Sequence, residues 1–195
     1  GQGQPEGVVT RAAYVAAIVR GGPHPSWLWQ RDGVDSWVSG GPGLERRHGT
    51  PVAVRRLIDH GIVEFSGPSW PQGQLQAHQL AARAILEDAP PQQVADLAEL
   101  LVTELDDEQG DASDRVVVSA TEVHAIVRRL IAAGLVPVRG RARAYRLLAE
   151  LELWSDQKTA SLAAAEEGLR LAPRDLSTAQ PEDLRLLARL LTAAA

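Results

Sequence analysis

Residues 54–67 read VRRLIDHGIVEFSG, and residues 127–140 read VRRLIAAGLVPVRG, 73 positions further on. The shared pattern places Val, Leu and Ile at helical spacing and follows them with a glycine, Gly61 or Gly134, suited to the left-handed position that ends a helix. A short β-prone run comes next in both copies, which predicts strands at 62–65 and 135–138. Each helix also has a start signal. Thr50 and Pro51 supply an N-cap and a first-turn proline, and Ser119 is followed three residues later by Glu122. Matching apolar residues imply matching burial, so Leu57, Ile58 and Ile62 should occupy the same kind of environment as Leu130, Ile131 and Leu135.

The likeness extends outward more loosely. Residues 76–88 (QAHQLAARAILED) parallel 143–155 (RAYRLLAELELWS), and another helical pattern follows each. The expected fold is therefore mainly α with short β strands, built on a duplicated helix-strand-helix-helix unit and finished by C-terminal helices. The chain divides on this reading into an N-terminal helix with a Trp/Gly/Pro-rich segment at 1–48, a first repeat unit at 49–107, an acidic joint at 108–118, and a second repeat unit with a closing helix at 119–195. Residues 8–20 (VVTRAAYVAAIVR) read as the first helix, stopped by Gly21, Gly22 and Pro23. The stretch around Trp27, Trp29 and Trp37 is rich in Gly and Pro, which suggests an irregular segment or short hairpin. On a strand, Trp27 and Trp29 would share a face. These indoles are expected to close the core, with an aromatic ligand platform as the alternative.

Composition narrows the chemistry. The 195 residues include no Cys, which removes disulfides and thiolate chemistry. The five histidines, His24, His48, His60, His78 and His124, show neither HxxxH nor HExxH spacing, so no metal and no cofactor is expected. The glycine-rich run at 39–43 lacks a Walker lysine and the spacing of a dinucleotide loop, and no nucleophile elbow accompanies an acid and a histidine. The chain is thus read as non-enzymatic. No run of eighteen apolar residues and no basic-then-apolar leader occurs in these residues, which makes a cytoplasmic protein without a membrane partner the expectation. All basic residues but Lys158 are arginine, a compositional habit that by itself says nothing of phosphate. Charge is unevenly spread, because residues 84–114 hold ten acids and no base while the flanks are net basic. The pairs Arg46–Arg47, Arg55–Arg56 and Arg128–Arg129 read mostly as solvated faces, some of them available to nucleic acid.

Residues 119–148 (SATEVHAIVRRLIAAGLVPVRGRARAYRLL) resemble the recognition-helix and wing portion of winged-helix transcription regulators, in which a capped helix ends in Gly-Leu-Val and a basic hairpin returns to a Tyr-Arg-Leu-like strand. The resemblance implies a DNA-binding regulator in which Thr121, Glu122, His124 and Arg128 are helix contacts and Arg139, Arg141 and Arg143 are wing contacts. Spaced two apart, those last three would line one face of a strand. Residues 142–173 also look like one tetratricopeptide repeat, with Tyr145, Leu148 and Ala149 on the first-helix positions and Gly168, Leu169, Leu171 and Pro173 on the second-helix ending; this implies a helix pair that docks a partner protein. Three functions remain open: nucleic-acid binding, helical protein interaction or scaffolding, and small-ligand binding through Trp27, Trp29 and Trp37.

Overall fold

The computed structural model describes residues 5–40, 49–68, 72–110, 119–172, 188–189 and 191–192. The chain forms two compact units, Gly1–Glu104 and Leu105–Ala195. The first therefore takes in both the N-terminal segment and most of the first repeat, and the divisions drawn at 48 and 107 do not coincide with the units. The described residues are mainly helical with one small sheet, as the sequence indicated. The closing helix read at 180–194 lies mostly outside the described residues.

In the first unit α1, Pro5–Ile18, is a central rod. Ala12, Ala13, Val15, Ala16, Ala17 and Ile18 are all buried, so the helix is apolar nearly all round and its small side chains admit neighbours on several sides. It packs against α2 (Asp32–Ser39), α3 (Gly49–Asp59) and α4 (Gln79–Asp88). Among the described residues the Trp-rich segment forms no hairpin. Pro25 leads into a single 3-10 turn, Ser26–Gln30, and α2 follows with Asp32 and Asp35 in its first turn, where carboxylates meet the positive end of the helix dipole. Thr50 does not cap α3; it lies within the helix, and its hydroxyl donates to Asp35 of α2.

A three-stranded antiparallel sheet completes this unit. Its strands are β1 (His24–Pro25), β2 (Val63–Ser66) and β3 (Gln74–Ala77), in the order β1-β3-β2. Val63, Leu75 and Ala77 point inward, while Glu64, Gln74 and Gln76 are exposed, the alternation expected of a one-sided sheet. Ser26 ties β1 to β3, since its hydroxyl donates to the Gly73 carbonyl (2.7 Å) and accepts from the Gly73 N–H (3.1 Å). At the neck of the β2–β3 hairpin Gly67 has φ +134°, and a Cβ there would come 2.6 Å from the Gly73 Cα. The helix suggested from residue 76 starts instead at Gln79, because 74–77 are strand.

The second unit contains the end of α5 (Pro91–Gly110), then α6 (Ser119–Ala132), α7 (Val138–Trp154) and α8 (Lys158–Leu171). Helices α7 and α8 form a hairpin along a seam of Ala142, Ala149, Ala164 and Ala165, closed by Ala172 and flanked by Tyr145, Leu148, Leu169 and Leu171. The buried Ser161 hydroxyl donates across the seam to the Ala149 carbonyl (2.8 Å), which leaves it satisfied in an apolar setting.

The two matched segments end their helices alike and then part. Ile62 N–H donates to Leu57 O (2.9 Å) and Gly61 N–H to Ile58 O (2.9 Å); in the other segment Leu135 donates to Leu130 (3.2 Å) and Gly134 to Ile131 (3.0 Å). Gly61 and Gly134 take φ of 67° and 66°. Leu57 and Leu130 are fully buried, and Ile58, Ile131, Ile62 and Leu135 are all half-buried. Beyond Val63 and Val136 the segments diverge, and the strand expected at 135–138 does not form. Pro137 stands where the other segment has Glu64, and it has no N–H to give a ladder. It starts a helix instead, its carbonyl accepting from Gly140 (2.9 Å) and Arg141 (3.1 Å). Gly61→Ala and Gly134→Ala should each cost about 1–2 kcal/mol, since nothing lies within 4 Å of the added carbon and only the left-handed backbone objects. Urea denaturation of the two variants checks this, and an unchanged midpoint in either would show that its cap is not held in solution.

Candidate nucleic-acid interface

The residues named for a recognition helix and wing at 119–148 fall on two helices. His124 of α6 hydrogen-bonds through Nε2 to Oε1 of Glu152 on α7 (2.7 Å), and Arg128 approaches the same buried carboxylate at 4.0 Å. Thr121 is exposed and Glu122 half-buried. Burial draws Arg129 below the ordinary arginine pKa. Arg139, Arg141 and Arg143 belong to α7, not to a strand, so the two-residue spacing that would line one strand edge has no such meaning here, and Arg141 and Arg143 stand on different sides of the helix. Arg141 Nε donates to the Val136 carbonyl (2.9 Å), and Arg143 lies 4.0 Å from Asp106. Arg146 is buried and pairs with both Asp106 and Glu150. The basic hairpin read at 139–146 is thus replaced by a helix on which Arg141, Arg143 and Arg146 face a carbonyl and acids of their own unit.

The tryptophans divide as well. Trp29 is buried with its ring stacked on His24, centroids 6.1 Å apart, while Trp37 meets Tyr14 of α1 at 6.5 Å. Trp27 and Trp37 are half-buried. The core-closing reading accounts for Trp29.

A different surface carries an organised set of groups. Along α3 the positions Thr50, Ala53, Val54 and Leu57 are buried, so the helix is held against α1 and α2 by one stripe. Its opposite stripe presents Val52, Arg55, Arg56 and Asp59 to solvent, at i, i+3, i+4 and i+7. Val52 is 54% exposed. Arg55 Nε lies 3.1 Å from Asp59 Oδ1, an exposed pair one turn apart, and the Arg56 guanidinium has no ion-pair partner among the described residues. The β2–β3 hairpin follows directly. The signal for this surface was present in the Arg55–Arg56 pair, yet only the pairing of β1 with β3, about fifty residues apart, gives the helix and hairpin their common frame.

Among the described residues no group of His, Asp and Glu is arranged to hold a metal, and no helix is long and apolar enough to cross a membrane. A hollow of about 350 Å³ lined by Glu64, Gln76, Ala77, His78, Gln79 and Leu80 opens on the outer face of the sheet. No protein-family model, curated protein or solved structure matches the chain.

Proposed function

We propose that the chain is a non-enzymatic nucleic-acid-binding protein whose winged-helix-like module lies in the first unit, with α3 as the helix that meets the duplex and the β2–β3 hairpin as its wing. The observation that carries this reading is the element order α1-β1-α2-α3-β2-β3 together with the sheet order β1-β3-β2. That order seats α3 on α1 and α2 by its apolar stripe and leaves Val52, Arg55 and Arg56 outward beside the hairpin. The role given by resemblance to 119–148 passes to 49–77, the segment that shares its pattern. Thr121, His124, Arg128, Arg139, Arg141 and Arg143 are then not the contact set.

Fluorescence anisotropy with a labelled mixed-sequence duplex at low salt tests it. Replacing Val52, Arg55 and Arg56 together with Ala should abolish binding, whereas replacing Arg139 and Arg143 should leave it within about twofold, circular dichroism confirming the fold of each. Loss of binding in the second variant, or no binding by the unaltered protein, overturns the assignment.

A second reading rests on one further observation. At the turn end of the α7–α8 hairpin Leu153, Trp154 and Leu162 are exposed at 44%, 60% and 41%, an apolar tip suited to a partner protein. A photocrosslinking residue at 154 should then give a discrete adduct that Leu162→Ser removes. A diffuse or absent adduct would count against it.

A further inference from the structure

We propose that Val52 and Arg56 are the residues that read base identity, Val52 against a thymine methyl and Arg56 against a guanine, in the major groove of B-form DNA. This rests on the reading of α3 as the duplex-facing helix and adds to it which side chains specify sequence and which nucleic acid is read. A helix about 10–12 Å across matches the roughly 12 Å major groove of B-DNA, whereas the major groove of A-form RNA is too deep and narrow for side chains to read.

Charge on this surface singles out base contacts. Neither β2 (VEFS) nor β3 (QLQA) holds Lys or Arg, and the sequence between them holds none either, so the two strands bring no cation to the phosphates. On α3 the positive charge of Arg55 is offset by Asp59, 3.1 Å away, and that pairing holds the Arg55 side chain along the helix. The surface therefore grips a duplex of arbitrary sequence only weakly, through contacts that hold at low salt and are lost as salt rises. Discrimination falls to the groups that match base edges. A guanidinium bonds bidentately to guanine O6 and N7, and an apolar branched side chain packs on the thymine methyl. Val52 lies in the first turn of α3, the part of a recognition helix that meets base edges, and Arg56 stands on the same face one turn further on, in the last turn. Four residues of helix advance about 6 Å, so the thymine and guanine should be about two base-pair steps apart.

The experiment is selection from a duplex library randomised over twelve positions, using the full chain at low salt, followed by affinity measurements on the enriched duplex over a salt series. The unaltered protein should enrich a motif with T and G about two steps apart. Its salt slope should be about −2 or shallower, as expected for at most two phosphate contacts. Arg56→Ala should erase a preference for guanine of about 5- to 150-fold. Arg56→Lys keeps the charge and loses the fork, so it should lower guanine preference with the salt slope unchanged. Val52→Ser should relax the thymine position alone, and Arg55→Ala, which leaves the Asp59 carboxylate uncompensated near the phosphates, should weaken all sequences equally. If the protein binds duplex but Arg56→Ala and Arg56→Lys select the same motif as the unaltered chain, the base assignment is overturned and α3 as the duplex-facing helix stands. If the unaltered chain binds no duplex, the underlying reading fails, and the base assignment with it. Equal binding to an RNA duplex of the same sequence overturns the B-form assignment.

Discussion

Arg146→Ala is expected to destabilise the second unit by about 3–5 kcal/mol, because it removes the guanidinium from between two carboxylates and leaves them facing one another. The Arg146 side chain is 3% exposed, and those of Asp106 and Glu150 are each 16% exposed, so water cannot take over the missing charge at little cost. Arg146 spans two elements, since Asp106 comes from α5 and Glu150 from its own helix, one turn on. Glu150 also accepts from Arg189 (2.7 Å), which keeps partial compensation on one side. Asp106→Asn with Glu150→Gln in the Arg146→Ala background should recover part of the loss, because neutral amides remove the repulsion. Chemical denaturation followed by far-ultraviolet circular dichroism measures both. A loss below about 1 kcal/mol would mean that the site is as open to water as an ordinary surface pair.

Trp29→Ala should cost the first unit about 3–5 kcal/mol, the range for removing a large aromatic from a packed interior. The indole is 1% exposed and stacks on the buried His24, in the segment that feeds β1 into the sheet. Its loss therefore weakens the strand that brings the hairpin beside α3. Trp29→Phe should cost much less, because the indole Nε1 makes no hydrogen bond among the described residues and the smaller ring gives up no polar contact. A thermal melt of both variants tests this; equal losses would show that the indole N–H has a partner in solution.

How far the sequence could be read varied from element to element, for physical reasons. The helix ends at Gly61 and Gly134 were legible because a left-handed cap is a local requirement met by the residue itself. The strand after Gly61 was legible in the same way, while the one expected after Gly134 failed at Pro137, a residue whose missing N–H outweighs the β-prone neighbours. That single position decided whether Arg139, Arg141 and Arg143 stood along a strand or around a helix. β3 and β1 were missed, since four residues reading QLQA and two reading HP carry almost no periodic signal and exist through their pairing. The surface on α3 was half visible. Arg55 and Arg56 were noted as an arginine pair, but which face of the helix is free follows from what α1 and α2 cover, a long-range fact.

The alanine seam between α7 and α8 bears on how this chain can drift. A single-nucleotide change at an alanine codon leads mostly to Val, Thr, Pro, Asp or Glu, and each of these adds bulk or charge where Ala149 and Ala165 are fully buried. Enlarging a packed interior costs about 1–3 kcal/mol, so most of the amino-acid changes open to these codons run against the fold. Only glycine and serine come without much added volume, and the seam already holds both, at Gly168 and Ser161. Mutational scanning of the hairpin would accordingly show a strip of positions tolerant of Gly and Ser and closed to nearly everything larger, running beside outward positions that accept almost any residue.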